Sequence, residues 1–156
     1  MKISLRQFKK SDLKVYSRWR KNIKSEQFMS RSFPWKFDEN HIEQPEYYEW
    51  FVISYLGMDI GTIWIEKEKN IKESGRLGVL IGDNNYWNKG IGTIAIEKAI
   101  EISKEKLKIK TIYINVRTNN PRAISCYKKC GFKKMSEGEK IKNSEKTKFI
   151  AMKKEL

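Results

Sequence analysis

The chain has 156 residues, 39% hydrophobic and 12% aromatic, which excludes a disordered segment and suits one domain, residues 1–156, able to bury a core without staples. Its formal net charge is +14, from 33 basic and 19 acidic side chains, but the lysines are scattered with no dense basic arm, so a nucleic-acid partner is not expected. No apolar run approaches the ~20 residues of a membrane span, and Met1-Lys2-Ile3-Ser4-Leu5-Arg6 lacks the apolar core of a signal peptide, so no membrane partner and a cytoplasmic location are expected.

In chain order, Ile3 to Phe8 reads as a short strand. A helix follows to about Asn22, capped by Ser11 or Asp12, with Leu13, Tyr16 and Trp19 on one face. Lys24 to Pro45 is polar and mixed, with room for short helices. The stretch from Asp38 to Glu49 carries five acids (Asp38, Glu39, Glu43, Glu46, Glu49) and no lysine or arginine. Glu49 to Tyr55 is a strand by its aromatic and β-branched content. Leu56 to Asp59 is a turn, and Ile60 to Ile65 returns antiparallel. Lys67 to Ser74 is a charged loop, and Leu77 to Ile81 an apolar strand closed by Gly82-Asp83-Asn84-Asn85.

A helix then spans about Ile91 to Leu107, with Ile96, Ala99, Ile100, Ser103 and Leu107 on one face. Thr111 to Val116 is a strand. Asn120-Pro121 starts a helix, because Asn caps well and Pro fits the first turn. That helix ends at Cys130, where Gly131 can adopt the left-handed capping conformation. Strands near Phe132 to Ser136 and Thr147 to Met152 close the chain. The order β, α, β, β, β, α, β, α, β, β implies a partly parallel sheet with helices packed on it. Cys126 and Cys130 read as reduced packing thiols. The sole histidine, His41, is distant, so these types alone cannot build a four-ligand zinc site and no metal is expected.

Two motifs carry the chemistry. In Trp87-Asn88-Lys89-Gly90-Ile91-Gly92-Thr93, glycines let a backbone approach a ligand closely, and the N–H groups of a helix start favour a phosphate or pyrophosphate. Lys89 adds a positive charge. Taken alone the stretch is open between a structural turn, a dinucleotide fingerprint and another phosphate cradle. The fingerprint fits poorly, because seven residues, Asp83 to Lys89, separate the strand from the glycines. The acid expected about 20 positions later is replaced by Asn115-Val116-Arg117. The second motif runs from Asn120 to Phe132, Asn-Pro-Arg-Ala-Ile-Ser-Cys-Tyr-Lys-Lys-Cys-Gly-Phe. Ala123 and Tyr127 are four apart and share a helical face.

Together, a glycine-rich loop opening a helix, then a strand, then N-x-x-A-x-x-x-Y-x-x-x-G-F resembles the GNAT superfamily of acyl-CoA N-acyltransferases. The look is nearest to the branch of ribosomal-protein, spermidine and some aminoglycoside acetyltransferases. The specific match covers Leu77 to Phe132, roughly a third of the chain. The resemblance implies an α+β fold of the GNAT type, a mixed central sheet flanked by helices. It implies an N-acetyltransferase with acetyl-CoA as co-substrate. Leu80, Ile81 and Gly82 would offer backbone groups to the pantetheine, one N–H polarising the thioester carbonyl. Asn88, Lys89, Gly90, Ile91, Gly92 and Thr93 would hold the pyrophosphate. Asn120 would bond the pantetheine, Ala123 would line its channel, and Tyr127 would protonate the leaving thiolate.

The chain departs from the family pattern at Trp87, where an Arg or Gln is common, and in lacking a carboxylate between Glu73 and Asp83. The general base is therefore unassigned, with water, Glu49, Asp59 or Glu66 as candidates. The acceptor is expected to be a primary amine, either a small molecule or a peptide N-terminus. The acids and aromatics of Asp38 to Trp50 would suit a polyamine or aminoglycoside. Self-association into a homodimer is allowed. The alternatives are an acetyl-CoA sensor without catalysis and a basic RNA- or ribosome-associated module.

Overall fold

The computed structural model describes residues 2–156. Its centre is a pair of strands, β2 (Tyr48–Tyr55) and β3 (Met58–Lys67). Trp50, Val52 and Trp64 point into one apolar cluster, and Phe51, Ile53, Ile63 and Ile65 into another. Strands buried on both faces read as near-continuous apolar runs, which is why Trp-Phe-Val-Ile was legible as a strand.

Around them lie β1 (Ile3–Gln7), α1 (Leu13–Asn22), β4 (Ser74–Ile81), α2 (Ile91–Lys106), β5 (Thr111–Arg117), α3 (Pro121–Lys129), β6 (Lys133–Lys142) and β7 (Glu145–Glu155). The strands form one seven-stranded sheet in the order β1-β2-β3-β4-β5-β7-β6. Neighbours are antiparallel except β4 and β5. Helix α1 contributes Tyr16 and Trp19 to one cluster. Helices α2 and α3 contribute Ile96, Ala99, Leu107 and Tyr127 to the other. The mixed sheet flanked by helices is the anticipated α+β architecture.

Local details differ from expectation for physical reasons. Asp12 precedes α1 but does not cap it through its side chain. Its carboxylate instead accepts the Lys9 N–H at 2.8 Å and both terminal nitrogens of Arg6, at 2.9 and 2.8 Å. The segment after α1 holds one short 3-10 turn, Ser25–Gln27, and is otherwise irregular up to β2. The closing strands run well beyond the predicted Phe132 to Ser136 and Thr147 to Met152. Asn143 and Ser144, at φ 53° and 65°, form the two-residue left-handed turn that suits hairpin twist, so their polar flanks pair as strands although β6 is exposed almost throughout.

One feature of the sheet positions the site. β4 pairs with β3 from Gly75 to Ile81, but with β5 only at Ser74↔Thr111 and Gly75↔Ile112. Beyond Gly75 the two parallel strands diverge. At ~3.3 Å per residue, the six remaining residues of β4 flank a split about 20 Å long.

Candidate active site

A cleft of about 650 Å³ occupies this split and is lined from both faces of the sheet. The hydrogen-bond alternation of an antiparallel pair decides which backbone groups of β4 reach it. The Gly82 N–H donates to Ile60 O at 2.7 Å, and Leu80 lies opposite Thr62 in the same register. Leu80 and Gly82 therefore turn their backbone groups toward β3, and Val79 and Ile81 turn theirs into the split. The Ile81 carbonyl accepts the Trp87 indole N–H at 3.0 Å. The Ile81 N–H and the Val79 backbone are left facing the cleft. Of Leu80, Ile81 and Gly82, Ile81 alone turns its backbone groups to the split, together with Val79. Leu80 lines the wall, whereas Gly82 does not. A Cβ on Gly82 would come within 2.1 Å of Trp19, so this glycine serves the packing of α1 on the sheet.

Past β4, the chain turns through Asn88 (φ 60°) and Gly90 (φ 80°), both left-handed, to open α2. The first intrahelical bond of that start is Ile94 N–H to Gly90 O, at 3.3 Å. The N–H groups of Ile91, Gly92 and Thr93 have no helical acceptor and sit at the positive end of the helix dipole. Neither α2 nor α3 has an acidic residue in its first turn, so no acid of their own offsets the positive end of either helix. Asn88, Gly90, Ile91, Gly92 and Thr93 line the wall, and Lys89 does not. A Cβ on Gly92 would stand 3.3 Å from Cys126 Sγ, which shows how closely α2 and α3 approach.

Asn120 caps α3: its Oδ1 accepts the Ala123 N–H at 3.3 Å, and Pro121 takes the first turn. The Asn120 amide NH₂ remains free to donate to a ligand. Ala123 and Tyr127 line the cleft one turn apart. Tyr127 is 9% exposed and packs edge-on against Phe132 at 5.6 Å. Its hydroxyl has no hydrogen-bonding partner among the described residues, and burial, aided by the Cys126 and Cys130 thiols, pushes the phenol well above its ordinary range. Burial thus favours the neutral phenol over the phenolate. Gly131, at φ 92°, ends the helix as expected.

Two residues of this wall were missed or unexplained in the sequence. The Arg122 guanidinium stacks 3.5 Å over the Trp87 ring. Trp87 thus ties the end of β4 to α3 by its N–H on one side and its face on the other. Arg122 was detectable in principle, because a cation in a helix's first turn opposes the dipole unless an anion binds there.

The opposite face of the split is built from other parts. Arg31 and Trp35 come from the irregular segment, Trp64 and Glu66 from β3, Glu68 from the following loop and Arg76 from β4. The Glu66 carboxylate is 1% exposed, pairs with both terminal nitrogens of Arg31 and accepts the Trp35 backbone N–H at 2.9 Å. Glu68 pairs with Arg76. The Trp64 Nε1 is buried and has no partner among the described residues, a state that costs about 1–3 kcal/mol unless a ligand satisfies it. Of the candidate bases only Glu66 lines the cleft. Asp59 is bonded to Arg6 at 2.7 Å and Ser54 at 2.6 Å, and Glu49 lies 3.9 Å from Lys106. None of the five acids of the Asp38–Glu49 stretch lines the cleft, and its Tyr48 and the adjoining Trp50 are core residues.

Among the described residues, no cluster of three or more His, Cys, Asp or Glu is placed to hold a metal ion, and no helix is long and apolar enough to cross a membrane. Residues 2–133 match the acetyltransferase (GNAT) domain family. An N-alpha-acetyltransferase of Sulfurisphaera tokodaii is 27% identical over 116 residues, 69% of each chain. Among solved structures, the acetyl transferase that modifies the N-terminal serine of a 50S ribosomal subunit protein in Salmonella typhimurium superposes with TM-score 0.80, at 13% identity over 99% of this chain and 95% of that one. Spermidine N-acetyltransferase from Vibrio cholerae, solved with CoA and spermine, superposes with TM-score 0.76, at 18% identity over 98% and 95%. With the split sheet, the open helix start and the family match over most of its length, this chain belongs to the GNAT acetyltransferase family and is an acetyl-CoA-dependent acetyltransferase.

Proposed function

We propose that the protein transfers the acetyl group of acetyl-CoA to the α-amine of a peptide or protein N-terminus. The observation that carries this reading is the state of the carboxylates in the cleft. Glu66 and Glu68 are both ion-paired, so neither is free to take a proton from an incoming ammonium. An α-amine, with a pKa of about 7.7–8.0, is roughly a third neutral near pH 7.5, whereas an alkyl amine near 10.4 is only about 0.1% neutral. A site without a free base thus selects for α-amines. The name of the Sulfurisphaera relative agrees. The distance of the Asp38–Glu49 acids from the cleft removes the support they lent to a polyamine or aminoglycoside.

The cofactor would lie along the open edge of β4. Its pyrophosphate meets the N–H groups of Ile91, Gly92 and Thr93, with Asn88, Gly90 and Arg122 beside it. Its pantetheine passes Val79, Ile81, Ala123 and the Asn120 amide. The amine lone pair attacks the thioester carbon while the Val79 or Ile81 N–H stabilises the developing oxyanion. Collapse breaks the C–S bond, and the Tyr127 hydroxyl gives its proton to the departing sulfur. A thiolate appearing in a desolvated slot is a stronger base than in water, so a buried phenol suits it. The amine's own proton is relayed through water to the Tyr127 phenolate and restores the hydroxyl. Free thiols at Cys126 and Cys130 fit a reducing compartment and the proposed cytoplasmic location.

The test is thiol release from acetyl-CoA with N-terminal peptides, spermidine, an aminoglycoside and free amino acids. Peptides are expected to turn over fastest, with product blocked at the α-amine. Faster turnover of spermidine would overturn the acceptor, and acetyl-CoA binding with no turnover of any amine would favour a sensor.

A further inference from the structure

The acceptor face of the split is cationic. Arg31, Lys67, Lys69, Arg76 and Lys140 line it against only Glu66 and Glu68. Both carboxylates are already neutralised by Arg31 and Arg76. Lys67, Lys69 and Lys140 have no acidic partner among the described residues; Lys69 rests 5.3 Å from the Trp35 ring centroid and Lys140 5.6 Å from that of Phe149. These lysines come from three separate places, the end of β3, the loop after it and β6, and all three line the same cleft. A second feature lies in the wall of the same cleft. Trp64 is 2% exposed, lies against Gly78 on the split strand, and holds an indole N–H with nothing to accept it.

We propose that this face recognises an acidic N-terminal peptide. The Trp64 N–H would donate to a backbone carbonyl of the acceptor chain, and Lys69 and Lys140 would meet carboxylates at the residues after the acetylated amine. The inference rests on the α-amine reading above and narrows it. A polycation would be repelled at this mouth, whereas a carboxylate-rich chain is drawn in. A peptide fits better than a nucleic acid, because the cleft is a slot between two strands that takes an extended chain, and its wall holds a buried donor among apolar residues rather than lysines alone.

The experiment uses CoA-loaded protein and C-terminally labelled peptides beginning Ser-Glu-Glu, Ser-Gln-Gln and Ser-Lys-Lys, with binding read by fluorescence anisotropy. The acidic peptide is expected to bind about tenfold tighter than the neutral one at ~50 mM salt, and the margin should shrink as salt rises. Lys69→Glu combined with Lys140→Glu should erase or reverse the order. Trp64→Phe, which loses the donor together with part of the bicyclic ring, should raise KM for peptides about fivefold with little change in kcat. Equal affinity for the three peptides, or a preference untouched by the double reversal, overturns the proposal. So does a single-stranded RNA that binds tighter than the acidic peptide and loses affinity on the same reversal. Because binding is read separately from turnover, the two readings fail separately. Acidic preference without acetylation would sink the α-amine reaction alone, and acetylation without charge preference would sink the acidic acceptor alone.

Discussion

The two faces of the β4–β5 split are built in opposite ways. The face under α2 and α3 is made largely of backbone: the Val79 and Ile81 edge, the free N–H groups of Ile91 to Thr93, and small residues such as Gly92 and Ala123. The face under α1 is made of long side chains, Arg31, Trp35, Glu66, Arg76 and Lys140, brought together from distant parts of the chain. A cofactor of fixed shape can be read by main-chain geometry, which needs few particular side chains. A variable acceptor must be read by side chains, which can be exchanged without altering the frame.

The comparison breaks first at β4. Val79→Pro removes an N–H that faces the split, so the protein should fold, keep most of its stability and lose about 1,000-fold in kcat. Leu80→Pro removes a ladder bond to β3 and should cost about 3 kcal/mol of stability. Chemical denaturation and steady-state kinetics on the pair check this, and the reverse pattern would restore Leu80 as the backbone donor. Next, Gly92→Glu sets a carboxylate at the start of α2 and should weaken acetyl-CoA binding about 100-fold by calorimetry, with Gly92→Gln well below that.

Changes on the other face should leave the cofactor alone. Glu66→Gln releases Arg31 and Trp35 from their shared anchor. It should raise peptide KM about tenfold while the acetyl-CoA Kd stays within about twofold. A matching loss of acetyl-CoA affinity would mean that the faces are not separable. The smallest effect is in pH. Burial raises the Tyr127 pKa, so the proton is held through the alkaline range. The kcat/KM should rise through about pH 8 as the α-amine becomes neutral and stay flat to about pH 10. A fall between these values would assign the proton donor to another group.

The same division decided what was legible in the sequence. The order of elements, the faces of α1 and α2, the Asn120 cap and the Gly131 stop could be read because each depends on neighbours within a turn or two. The glycine-rich loop and Asn120, Ala123 and Tyr127, picked out by the same short spacings, line one wall of the cleft. Which backbone groups of β4 face the split was not, since it depends on hydrogen-bond parity with β3, set by the Gly82 to Ile60 bond. Trp87 looked like a defect in a phosphate loop and turns out to brace Ile81 and Arg122. The acidic stretch looked like a cation site because composition carries no direction, and the irregular chain from Ser25 to Glu46 carries its acids away from the cleft. The length of the last hairpin was hidden by its polarity, with Asn143-Ser144 as the overlooked signal.

The central claim is that Tyr127, on the helix that opens at Asn120, passes a proton to sulfur across a slot whose other wall is the bare edge of β4. Single-turnover transfer from acetyl-CoA to a saturating N-terminal peptide, followed by rapid quench for wild type and Tyr127→Phe, tests it most directly. The variant is expected to react about 100-fold more slowly, with its acetyl-CoA Kd within about threefold of wild type because the ring and its packing on Phe132 remain. Equal single-turnover rates would contradict the assignment.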